Sequence, residues 1–134
     1  MISKYHQRIV DQLKTLNSIK QVDYAYNNAS DQYPEACVMF VEMNEDYETQ
    51  VQVRRVYSFN VMVSTLVGKK DRNDAYKDFE NLIWEVRRLF GRNSIADATL
   101  TRPTQSVVYS ELQEEQQKIV GTVNVLIENI ERPK

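Results

Sequence analysis

Residues 51–67, VQVRRVYSFNVMVSTLV, place an apolar or aromatic side chain at every second position over most of their length. The intervening positions carry mostly polar side chains, such as Gln52, Arg54 and Asn60. A period of two is the pattern of a β-strand that buries one face and leaves the other in water. The side chains expected to be buried are Val51, Val53, Tyr57, Phe59, Val61 and Val63.

Helical and strand-like patterns flank this segment on both sides. The predicted helices are residues 3–18 and 73–90, and the predicted strands are residues 22–26, 35–43, 51–67, 107–112 and 118–130. Gly91 is expected to end the second helix, and Gly121 to mark a β-bulge in the last strand. The order α-β-β-β-α-β-β predicts an α+β fold. Its mostly antiparallel sheet of about five strands would bury both helices on one face.

The composition fits one domain over residues 1–134, because a chain of this length seldom holds two. A formal net charge of -2 provides no overall basic field for nucleic acid or anionic lipid. The first residues lack the apolar core of a signal peptide, and no window approaches the ~20 apolar residues of a membrane helix. We therefore expect a globular protein made in the cytoplasm.

Few residues are candidates for catalysis. Cys37, the only cysteine, lies in the apolar run 36–41, which favours a small buried hydrophobe over a reactive thiol. His6, the only histidine, falls in the first turn of the predicted helix and is expected to be exposed or partly packed. Neither has the partners of a catalytic set or the spacing of a metal site. We predict no enzymatic activity, no metal and no cofactor.

Acidic residues cluster at two predicted hairpin tips, within 44–48 and 113–117. These clusters are interpreted either as divalent-ion sites or as solvated turns that dock a partner. Neither cluster contains the glycine of a calcium loop, which favours solvated turns. The residues assigned to partner docking are Glu45, Asp46, Tyr47, Glu48, Glu114 and Glu115.

Trp84 does not fit the buried stripe of the second helix. At 100° per residue it points away from that stripe and shares its face with Lys77, Asn81 and Arg88. Tryptophan and arginine are typical anchors of protein interfaces. These four residues are predicted to form a subunit interface. The alternative is that residues 92–103 of the same chain cover Trp84.

The whole arrangement resembles the small tail-terminator, or tail-completion, proteins of long-tailed bacteriophages. The resemblance is carried by the Tyr33-Pro34 strand entry, the acidic segment 44–48 and the basic-aromatic strand 54–61. The second helix, Ala75-Tyr76 through Leu89-Phe90, and a final strand hairpin complete it.

The resemblance implies a structural protein of the virion that catalyses nothing. Proteins of that family form a hexameric ring that caps the tail tube, stops its polymerisation and joins the tail to the neck or head. The implied partners are further copies of the chain, the tail tube protein and a neck or head-completion protein. DNA would pass through the ring lumen without sequence-specific binding, and no membrane is involved. The alternatives are another head–tail connector or neck protein, and a non-viral intracellular α+β binding module.

Overall fold

The computed structural model describes residues 2–25, 32–49, 52–67, 71–92, 100–109 and 118–131. Its helices are α1 (Ile2–Leu13) and α2 (Arg72–Arg92). Its strands are β1 (Gln21–Asp23), β2 (Glu35–Thr49), β3 (Gln52–Leu66), β4 (Leu100–Tyr109) and β5 (Lys118–Glu131). The predicted α+β class is confirmed.

The sheet is mixed, which corrects the prediction of a mostly antiparallel sheet. The strands lie in the order β1-β2-β3-β5-β4. Four long strands, β2 to β5, form an antiparallel body, whereas the three-residue β1 runs parallel to β2. The backbone N–H of Lys20 donates to the carbonyl of Pro34 at 2.8 Å, just before the two strands pair. The sequence patterns do not reveal this direction, because it depends on contacts between distant segments.

The strands predicted on either side of 44–48 do pair as a hairpin, but its tip is not at 44–48. β2 and β3 pair from Glu35 opposite Ser64 to Thr49 opposite Gln52. The acidic segment is therefore part of a strand. Its residues tolerate that position because Glu45 and Asp46 lie opposite arginines of β3.

β2 contains a bulge between Phe40 and Glu42 that leaves Val41 without a partner in the ladder. Before the bulge, Phe40 faces the core beside Phe59, with ring centroids 5.4 Å apart. After it, Met43 lies opposite the buried Tyr57. The bulge thus changes which residues of β2 point to the helices.

The apolar run 36–43 is not the covered central strand that its composition predicts. Ala36, Cys37 and Val38 are buried, whereas residues 39–43 are exposed. β1 pairs only with residues 35–37, so the rest of β2 is a sheet edge among the described residues.

Both helices pack on one face of the sheet and share a single core. The buried residues of β5 fall on alternate positions, as the period of two predicts, and those of β3 do so apart from Ser58. The largest fully buried side chains are Tyr5, Phe59, Phe79, Phe90, Ile9, Leu13, Ile127, Val38, Val61, Val63 and Val86. Asn129 of β5 donates to the Tyr5 hydroxyl at 3.0 Å and so ties α1 to the sheet.

The helix ends differ from the predicted ones. α1 stops at Leu13 rather than near Ser18, and the Thr15 hydroxyl donates to the Gln12 carbonyl at 2.6 Å in the turn that follows. At the start of α2 the Asp71 carboxylate accepts from the backbone N–H of Asn73, as a capping residue does. α2 continues through Gly91 to Arg92.

Gly121 lies in a regular ladder opposite Val63, so the predicted bulge at this position is wrong. A Cβ atom there would lie 2.9 Å from Cζ of Phe79. The absence of a side chain at Gly121 lets α2 approach β5 closely.

Candidate interaction surfaces

His6 is packed into the fold more deeply than predicted. It is 8% exposed, and its ring stacks on Tyr24 with centroids 3.8 Å apart. Its Nε2 donates to the Tyr24 carbonyl at 2.5 Å. Phe59 meets the same ring edge-on. These contacts make His6 a packing residue that holds the chain after β1 against α1.

Cys37 is a buried thiol on the sheet face opposite the helices. It is 4% exposed, and burial raises its pKa to about 11, with smaller contributions from the carboxylates of Glu35 and Asp23. The thiol is therefore neutral at physiological pH, and a neutral thiol is a poor nucleophile.

Native Cys37 should react slowly with iodoacetamide. At pH 8 its thiolate fraction is roughly 100-fold below that of the unfolded chain, because the pKa rises from 9.0 to about 11 on folding. The unfolded thiol ionises first, so this residue also lowers the free energy of unfolding as pH rises from 9 to 11. Mass spectrometry of alkylation in buffer and in urea measures the difference between the reaction rates of Cys37 in the native and the unfolded chain. Equal rates would show that Cys37 is accessible.

The described residues contain no group of three or more His, Cys, Asp or Glu side chains that could hold a metal ion. An open groove lies between the first half of α2 and the turn before β1. The Ser18 hydroxyl donates to Glu85 across it at 2.6 Å. Within the residues that the structure describes, no helix is long and apolar enough to cross a membrane.

The predicted docking residues of the first acidic cluster lie along β2. The Arg55 Nε donates to Glu45 at 2.7 Å, and the two side chains are 26% and 35% exposed. Asp46 lies opposite Arg54, which forms an ion pair with Glu128. Tyr47 is 70% exposed. The side chain of Glu48, together with Glu114 and Glu115, lies outside the described residues.

Neutralising this segment should leave the subunit folded. The variant Glu45→Gln, Asp46→Asn, Glu48→Gln is expected to lose at most about 1 kcal/mol of unfolding free energy, because partly exposed ion pairs contribute little. Urea denaturation measures the loss. A variant that is unfolded in buffer would show that these carboxylates hold the fold together, and wild-type unfolding with and without EDTA would then test for a bound ion.

The residues predicted to form a subunit interface lie together on the outer side of α2. Trp84 is 55% exposed, and Lys77, Asn81 and Arg88 are exposed as well. The alternative, in which residues 92–103 cover Trp84, involves residues 93–99, which lie outside the described residues. The sequence interpretation missed Arg87, whose guanidinium carbon lies 5.1 Å from the centre of the Trp84 ring. The spacing of three residues along a helix was the available signal.

Arg87 completes what we call the α2 surface, which comprises Lys77, Asn81, Trp84, Arg87 and Arg88. The Nε of Arg87 is buried and has no hydrogen-bond partner in the part of the chain that the structure describes. The guanidinium is held against an aromatic ring, a common arrangement for arginine at interfaces.

A second surface, which we call the β2 edge, comprises residues 39–47. Its exposed apolar side chains are Met39, Phe40, Val41, Met43 and Tyr47. Exposed carboxylates at Glu42 and Asp46 accompany them. Unpaired strand edges with exposed apolar side chains are common sites of protein association.

The sheet face opposite the helices carries both apolar and polar side chains. Val56 and Met62 are half-buried, and Leu66 is exposed. At its centre Asn124 donates to the Ser58 hydroxyl at 2.9 Å and to the Asn60 side chain at 3.0 Å. This face is therefore a mixture of apolar and hydrogen-bonded polar groups.

Comparisons with known proteins do not identify a family. No family model matches the chain, and no curated protein matches it. The chain is similar to solved structures, one of which has a title that states no function. That similarity has 17% sequence identity, covers 98% of this chain and 92% of the other, and has a TM-score of 0.42. At that score it assigns no function.

Proposed function

We propose that this chain is a structural virion protein that forms a ring at the end of a phage tail tube. There it stops polymerisation of the tube and joins the tail to the neck or head. The observation that carries the proposal is the presence of two unlike exposed surfaces, the α2 surface and the β2 edge, on one small subunit. The family resemblance of the sequence pattern supplies the biological setting and the guess of six copies.

Two unlike surfaces suit a ring better than a two-fold dimer. A two-fold dimer needs only one self-complementary surface, whereas a head-to-tail contact uses two different ones. Repetition of such a contact closes into a ring when the rotation between neighbours permits. The β2 edge lies along the hairpin and the α2 surface on the outer side of a helix, so each subunit can contact two neighbours.

A structural role also fits the two residues that would be the first candidates for chemistry. The pKa of Cys37 is raised, and the buried His6 ring is stacked on Tyr24 and lies edge-on to Phe59. Further partners under this proposal are the tail tube protein and a neck or head-completion protein. DNA would pass through the lumen without sequence-specific contacts.

The proposal predicts that Trp84→Ala weakens self-association while the subunit stays folded. Truncating an aromatic anchor at the centre of an interface commonly costs more than about 2 kcal/mol of binding free energy, or roughly 30-fold in the dissociation constant. Sedimentation velocity over a concentration series measures association, and circular dichroism reports folding. Lys14→Ala, which changes an exposed residue after α1 that belongs to neither surface, is the matched control. A variant that loses its fold would show that Trp84 belongs to the core.

A separate experiment tests whether the protein lies at the end of a phage tail. Antibodies raised against the chain should label one end of isolated tails in electron micrographs of particles from the same source. Label at the head vertex would favour another connector protein. Particles without label would overturn the viral role and favour the non-viral binding module.

A further inference from the structure

We propose that the α2 surface of one subunit binds the acidic β2 edge of a second copy of this chain. This inference rests on the proposed ring and names the two surfaces that meet in it.

The α2 surface is basic and carries an anchor for a carboxylate. Lys77, Arg87 and Arg88 outnumber the neighbouring acidic residues Asp74 and Glu80, which lie one turn before Lys77 and Trp84 respectively. Glu85 accepts a hydrogen bond from Ser18. The planar guanidinium of Arg87 is held over the Trp84 ring, with its Nε buried and without a hydrogen-bond partner among the described residues. A guanidinium in a fixed orientation favours a carboxylate, which it can bind through two parallel hydrogen bonds.

The β2 edge has the opposite charge. Glu42 and Asp46 lie on the same side of β2 after the bulge, opposite Ser58 and Arg54 respectively. Arg54 already forms an ion pair with Glu128, so the two β2 carboxylates leave this part of the sheet with a net negative charge. Val41, the exposed apolar residue of the bulge next to Glu42, can contact the Trp84 ring.

The spacing of charges is similar on the two surfaces. Four residues of an extended strand place Glu42 and Asp46 about 14 Å apart along β2. Eleven residues of helix place Lys77 and Arg88 about 16 Å apart along α2. Long flexible side chains can make up a difference of this size. A helix laid along the strand therefore brings two basic groups near two carboxylates, with the aromatic ring between them.

The two surfaces of one subunit do not meet each other. α2 packs against β5, β4 and β3 on one face of the sheet, and its outer side turns away from them. Glu42 and Asp46 point to the other face, because Ser58 and Arg54 alternate with the core residues of β3. The complementary surfaces can therefore pair only between copies, in a head-to-tail contact.

Charge reversal on each surface tests the pairing. The basic-reversed variant carries Lys77→Glu and Arg88→Glu, and the acidic-reversed variant carries Glu42→Lys and Asp46→Lys. Each alone should associate at least tenfold more weakly than wild type, because each then brings like charges together. A 1:1 mixture should regain wild-type association, since every contact in an alternating ring again joins opposite charges. Lys14→Glu, which reverses a charge outside both surfaces, should have no effect.

Sedimentation velocity of the single variants, the mixture and the wild type gives the answer, with circular dichroism as a check on folding. Restoration by mixing cannot arise from a loss of stability, because both chains keep their substitutions. A mixture no better than its components overturns the pairing, and so do single variants that associate as wild type does. If wild type still assembles in those cases, the proposed ring forms through other surfaces. A wild type that stays monomeric at its highest soluble concentration overturns the pairing, while labelling of tails decides the proposed role separately.

Discussion

Phe59→Ala should lower the free energy of unfolding by about 3–5 kcal/mol, the usual cost of removing a large aromatic side chain from a well-packed core. Phe59 is fully buried in the middle of β3. Its ring meets Phe40 across the hairpin at 5.4 Å and His6 of α1 at 5.8 Å. Its loss leaves a cavity where the hairpin and the first helix come together. Urea denaturation followed by circular dichroism measures the change.

Leu66→Ala is the matched control, because it shortens an apolar side chain of the same strand that is 44% exposed. It should cost less than about 1 kcal/mol. If the two variants lose the same amount, Phe59 is not at the centre of the core and the alternation of β3 has been assigned to the wrong face.

Gly121→Ala should lower the free energy of unfolding by about 1–3 kcal/mol, although it adds only a methyl group. The new carbon would lie 2.9 Å from Cζ of Phe79 and 3.1 Å from Cδ1 of Ile83. Both atoms must move away, and they belong to the helix that covers β5. Thermal or urea unfolding measures the loss. Thr122→Ala, at the next position and on the other sheet face, is the control and should cost little.

A second substitution separates crowding from a general loss of strand stability. In a chain that carries Phe79→Leu, the ring that meets the added carbon is gone, so Gly121→Ala should cost less than it does in wild type. The same cost in both backgrounds would place the effect in the strand itself rather than in the contact with α2.

Much of the fold could be predicted from local patterns, because its long elements have regular periods. The alternation in residues 51–67 identifies the buried face of β3, and Val53, Tyr57 and Phe59 are buried as that pattern predicts. The stripe of α2 is equally clear, and it leaves Trp84 on the outside. Each of these signals arises within one segment of the chain.

The features that sequence interpretation missed depend on contacts between distant segments. In the sequence the acidic residues of 44–48 resemble a turn. The structure shows them in a strand, with Glu45 beside Arg55 across the hairpin. The parallel direction of β1 is seen only in its pairing with residues 35–37, and most of β2 lies at an edge because β1 has only three residues. Gly121 resembles a bulge because the Phe79 ring that needs its space comes from another element.

The bulge in β2 has a consequence for the length of the chain. Elsewhere in a paired strand, losing or gaining one residue turns every following side chain to the wrong face. Val41 is an exception, because it lies between Phe40 and Glu42 with no partner in β3. A related chain that lacked this residue would keep Phe40 opposite Phe59 and still place Met43 opposite Tyr57. Position 41 is therefore one place in the hairpin where homologues can differ by one residue while the following side chains keep their faces of the sheet.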